Sequence, residues 1–148
     1  MAGSPPDGVY LVRNDASGLY MELADANLGP NVPIVGAIAS KLAGQQWEVT
    51  AFHDDDPTEA GDDNAYTIKS KVGDVYVGER ASRRIPPRLG SRATPTAWII
   101  EYVDEGTVRV RSPRSGDVFD LSGGDDGPEI LLVEWNGRAT QRWILEAV

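Results

Sequence analysis

A chain of 148 residues with 41% hydrophobic and 25% charged residues has the size and composition of one folded domain, and its 16 glycines and 10 prolines read as punctuation of short elements. The net charge of −9 argues against a nucleic-acid partner unless a local basic patch overrides the overall field. With no cysteine, no run of roughly 20 apolar residues and no signal-peptide pattern over Met1 to Gly8, neither disulfides nor membrane insertion are expected, and a cytoplasmic location is.

Along the chain one pattern occurs three times. Val9 to Arg13 alternates apolar and polar residues as a half-buried strand does, passes a turn at Gly18, and resumes as Leu19 to Leu23. The second copy runs Ala65 to Lys69, Gly73, then Asp74 to Gly78, and the third Thr107 to Arg111, Gly116, then Asp117 to Leu121. A glycine between two short alternating runs is a hairpin signal. Each copy then closes on a tryptophan in another β-rich run, Trp47, Trp98 or Trp143. A unit of about four short strands cannot bury its apolar face alone, whereas three such units can share a core. The expected fold is therefore all-β, a single β-trefoil of three pseudo-symmetric four-stranded repeats spanning about 8–52, 64–103 and 106–148, with the three tryptophans in the core.

The third copy carries Ser115-Gly116-Asp117-Val118-Phe119-Asp120-Leu121, then Gly127 to Leu132, Trp135-Asn136-Gly137 and Gln141-Arg142-Trp143. In these residues it resembles the ricin-B-type lectin family, whose signature is the terminal Gln-x-Trp. The first copy repeats that signature in Gln45-Gln46-Trp47, and the second has Thr96-Ala97-Trp98. Short cysteine-free chains of this kind are similar to the small fungal β-trefoils, which include both lectins and mycocypin-type protease inhibitors. A shallow sugar site needs a carboxylate, an amide and an aromatic face. The resemblance places the carboxylate at Asp120 and the amide at Gln141, with Val133 and Thr140 where the family has a stacking aromatic and an asparagine. Trp135 and Asn136 stand close by in the chain as replacements. In the first copy the same pattern falls on Glu22, Ala37 and Gln46, and in the second on Val77, which has no carboxylate.

The Arg-rich segment 80–92 supports a different reading. Arg80, Arg83, Arg84, Arg88 and Arg92 lie there without an intervening acid, and Pro86-Pro87 stiffens the stretch, so an exposed, extended loop is expected. A stiff loop presenting Arg83, Arg84 or Arg88 suits inhibition of a trypsin-like serine protease. The same loop also suits an anionic partner.

Catalysis finds little material. His53 is the one histidine and sits beside Asp54-Asp55-Asp56 in a stretch that reads as a solvated connection; the acidic runs Asp54 to Asp56, Asp62-Asp63 and Asp125-Asp126 do not have EF-hand spacing. The expectation is a non-enzymatic module without cofactor or metal. Its favoured ligand is a glycan or glycoprotein, bound through Asp120, Trp135, Asn136 and Gln141; the alternatives are a protease, a protein-interaction subunit that has lost sugar binding, and self-association as a homodimer.

Overall fold

The computed structural model describes residues 5–52, 65–81, 85–121 and 129–148. Twelve strands form among them, and six close into a barrel. The barrel strands are β1 (Gly8–Asn14), β4 (Trp47–Ala51), β5 (Ala65–Ser70), β8 (Trp98–Tyr102), β9 (Val108–Arg111) and β12 (Trp143–Ala147). Each pairs antiparallel with the next, and β12 returns to β1 through Tyr10↔Ala147 to Asn14↔Trp143. Closure leaves the barrel no free edge.

The remaining strands make three hairpins over one end: β2 (Tyr20–Leu23) with β3 (Ile34–Ala37), β6 (Tyr76–Glu79) with β7 (Leu89–Arg92), and β10 (Val118–Asp120) with β11 (Leu131–Val133). Bridges Pro33↔Gly90, Val35↔Glu129 and Arg88↔Leu131 tie each hairpin to its neighbours. This is a β-trefoil.

The pseudo-threefold relation is written in the tryptophans. Trp47, Trp98 and Trp143 are all but fully buried. Their indole N–H groups donate to the carbonyls of Met21, Val77 and Phe119 at 2.9, 2.8 and 3.1 Å. An indole inside a core needs an acceptor for its N–H, and here each one ties a barrel strand to the hairpin of its own repeat. The three bonds also fix which residues are equivalent, because Met21, Val77 and Phe119 hold one position. The residue after each, Glu22, Gly78 and Asp120, therefore holds the next.

Turn chemistry is shared by the first and third repeats. Gly18 and Gly116 adopt φ of 74° and 77°, and their N–H groups donate to the carbonyls of Asn14 and Ser112. A residue with a Cβ is strained at that φ, which is why these hairpins carry glycine.

Candidate functional site

Gln141 ties together the segments that carry the residues singled out in the third repeat, bonding the Asp120 side chain and the backbone beside Trp135. This glutamine is fully buried at the end of a short 3₁₀ turn, Ala139–Gln141, just before β12. Its Nε2 donates to Asp120 Oδ2 at 3.0 Å and to the Glu134 carbonyl at 2.9 Å, and its Oε1 accepts from the Asn136 N–H at 2.7 Å. The backbone on both sides of Trp135 is thus pinned to one buried amide. Asn136 is exposed, and its Oδ1 accepts from the Arg138 N–H in an Asx turn at 2.9 Å.

Trp135 is half-buried and lies against two guanidiniums, with Arg109 Cζ 5.0 Å and Arg142 Cζ 6.0 Å from the ring centroid. Both arginines are held independently. Arg109 Nε donates to Glu101 Oε1 at 2.8 Å, and Arg142 donates to Asp104 Oδ2 at 3.0 Å and to the Gly137 carbonyl at 3.1 Å. The indole is oriented by cation–π contact before any ligand arrives.

Asp120 is buried, with 6% of its surface exposed, and its Oδ1 has no hydrogen-bond partner among the described residues. A shallow site would need this carboxylate at the surface, whereas it sits in the strand pairing of β10 beneath the loop, where it anchors Gln141.

Arg111 joins Arg109 on Glu101 Oε1, also at 2.8 Å. Burial pushes the Glu101 carboxyl upward, but the two arginine hydrogen bonds and charges together outweigh it and hold the group below the ordinary carboxylate range. A depressed pKa contributes stability that is complete above the unfolded value and is lost as the pH falls through the folded one. The melting temperature of the native protein should therefore exceed that of Glu101→Gln at neutral pH by the equivalent of about 1 kcal/mol after solvent screening. The gap should close on acidification through about pH 5 to pH 2. Melts of the two proteins across that range check this; a gap independent of pH would remove the ion pair from the account.

The first repeat holds the same clamp. Gln45, fully buried, donates to Glu22 Oε1 at 3.3 Å and to the Ile38 carbonyl at 2.8 Å, and accepts from the N–H groups of Ser40 and Lys41. The residue equivalent to Gln141 is thus Gln45. Gln46, expected from the sequence to fill that place, is one step out of register and reaches only the Lys41 carbonyl. In the second repeat the indole register puts Gly78 opposite Asp120, correcting the expectation of Val77, and Thr96 opposite Gln141. Neither half of the carboxylate–amide pair is present there.

The segment 80–92 departs from its expected exposure at Arg88. Arg88 is buried at 3%, and its Nε meets Glu129 Oε2 at 3.1 Å, while Arg80 Nη1 meets Glu129 Oε1 at 3.0 Å. A single carboxylate on the neighbouring third-repeat segment, which is bridged to Arg88 through Leu131, thus draws in two of the arginines, and in this conformation Arg88 is closed off from a protease. Arg83 and Arg84, like His53 and the three acidic runs, lie outside the described residues. Among the described residues no cluster of His, Cys, Asp or Glu could hold a metal ion, and no helix is long and apolar enough to cross a membrane.

Comparison with known proteins agrees with this architecture. The Rhizoctonia solani agglutinin superposes with a TM-score of 0.83 at 18% identity, over 99% of each chain. The Macrolepiota procera ricin B-like lectin, solved in complex with lactose, superposes at 0.73 with 23% identity, over 99% of this chain and all of that one. ThreeFoil, a designed threefold-symmetric protein, gives 0.80 at 18% identity over 96% of this chain and all of its own. No curated protein matches the sequence. The profile of the family described as ricin-type beta-trefoil lectin domain-like matches residues 43–135, well over half of the chain. With its closed barrel, three capping hairpins and threefold set of buried indoles, the protein belongs to the ricin-type β-trefoil lectin domain-like family.

Proposed function

We propose that this protein is a carbohydrate-binding module whose glycan site is the third-repeat loop carrying Trp135 and Asn136. What carries the reading is the grip of Gln141 on both sides of Trp135, which gives a rigid, partly solvent-facing indole with an exposed amide beside it. A sugar presents an apolar C–H face and a rim of hydroxyls, and these need an aromatic plane and fixed polar groups. Trp135 offers the plane and Asn136 the amide, while Asp120 and Gln141 act from below by holding the loop in shape. Membership of a lectin family, and the lactose complex of the Macrolepiota lectin, support the ligand class.

One shallow aromatic contact gives weak binding, with Kd on the order of a millimolar. Calorimetry with lactose as the probe, beside a glycan array, should detect binding that Trp135→Ala weakens by about tenfold or more, which is about 1.4 kcal/mol. The same substitution should leave the far-ultraviolet circular dichroism unchanged, since Trp135 lies outside the core. Undiminished glycan binding by Trp135→Ala would place the site elsewhere.

A further inference from the structure

Where the second repeat lacks the carboxylate–amide pair, the molecule has an open groove of about 750 Å³ between the second and third repeats. The residues at the equivalent positions differ from those of the other two repeats. Gly78 and Thr96 stand where Glu22 and Gln45, or Asp120 and Gln141, fill the other two repeats. A Cβ on Gly78 would fall 2.4 Å from Arg92 Cγ and 3.0 Å from Thr96 Oγ1, so the bare glycine is what lets the stem of Arg92 lie across this strand. Arg92 pairs with Tyr76 as Ala37 pairs with Tyr20 and Val133 with Val118. A guanidinium therefore occupies the position that the lectin resemblance assigns to a stacking aromatic.

We infer that this groove is a second binding site, for an anionic sugar: a polyol bearing a carboxylate or sulfate. Arg80, Arg92 and Arg114 line it. Arg80 is held by Glu129 at 3.0 Å, which fixes its direction, whereas Arg92 and Arg114 are exposed and make no ion pair among the described residues. Guanidiniums offer paired N–H groups at the spacing of a carboxylate or sulfate. Glu79 and Asp117 also line the groove, leaving an excess of one positive charge from three arginines and two carboxylates. They disfavour a polyanion, as does the net charge of −9. They suit a ligand with hydroxyls to donate, and Thr96 adds a hydroxyl of its own. A volume of this size holds a ligand of one or two sugar units. The site is independent of the third-repeat loop and stands whether or not that loop binds sugar.

The test is a titration of the whole protein with sodium glucuronate, glucose 6-sulfate, glucose and sodium sulfate, followed by NMR of the arginine Nε–Hε signals. Glucuronate or glucose 6-sulfate should shift the Arg92 and Arg114 signals, and more weakly as salt is raised. Arg92→Ala with Arg114→Ala should weaken that binding by about tenfold or more. Both side chains are exposed, so the double variant should melt as the native protein does. Trp135→Ala should leave the shifts in place, which separates this site from the lactose site. Absence of shifts with either anionic sugar, or equal binding by the double variant, would overturn the inference. Equal affinity for inorganic sulfate or for glucose would overturn the ligand class.

Discussion

Trp98→Ala should destabilise the fold by about 3–5 kcal/mol, a large part of the 5–15 kcal/mol typical of a domain. Trp98 is 2% exposed, its ring meets that of Phe119 edge to face at 4.8 Å, and its N–H is satisfied by the Val77 carbonyl. Removal opens a cavity where the second and third repeats meet and leaves that carbonyl without its donor. In a domain of this size the midpoint should fall by about 10–15 °C. Thermal and urea melts of Trp98→Ala and Trp135→Ala, read together, provide the check. Trp135 rests on the surface against arginines, so its loss should cost about 1 kcal/mol. Comparable losses at the two positions would contradict the division of the indoles into three core residues and one surface residue.

Gln141→Ala is expected to cost about 2–4 kcal/mol. It removes three hydrogen bonds at once and leaves Asp120, whose Oδ1 already lacks a partner among the described residues, as a buried carboxylate with no donor from them on either oxygen. Gln45→Ala is the internal control, because Gln45 makes the same backbone bonds in the first repeat. Its carboxylate partner Glu22 is only half-buried and sits at the longer distance of 3.3 Å, so water can replace the lost amide there. The first-repeat variant should therefore lose less, on the order of 1 kcal/mol. Urea titrations of both variants measure the difference. Gln141→Ala should also lose lactose binding through release of the Trp135 loop, whereas Gln45→Ala should keep it. Equal destabilisation of the two would mean that the burial of Asp120 does not matter.

The two substitutions bear on how binding divides within one fold. The buried tryptophans recur in all three repeats because every repeat needs its hairpin fastened to the barrel, and the buried glutamine recurs in the first and third. The outer residues have drifted apart, and each repeat now exposes different chemistry. The third presents Trp135 resting against guanidiniums, the second an arginine-lined groove, and the first Ile38 and Leu42 on the loop that Gln45 holds. Threefold architecture with unequal outer residues lets one chain offer several distinct surfaces without altering its core.

The strands, the hairpin glycines and the equivalence of Trp47, Trp98 and Trp143 were legible in the sequence, because alternation and turn residues are local properties of the chain. The same is true of the approximate place of the third-repeat loop, since Gln141 and Trp135 lie a few residues apart. Register was legible only in part: the Gln-x-Trp spacing already sets Gln45 rather than Gln46 against Gln141, but a one-residue step moves a side chain to the opposite face of a strand, and only the indole bonds across the fold revealed that Gly78 rather than Val77 holds the place of Asp120. Nor could sequence show that Arg88 is buried on Glu129, 41 residues away, or that Arg92 and Arg114 line one groove. Those facts depend on which strand edges close the barrel and which hairpins touch, and long-range packing alone decides that.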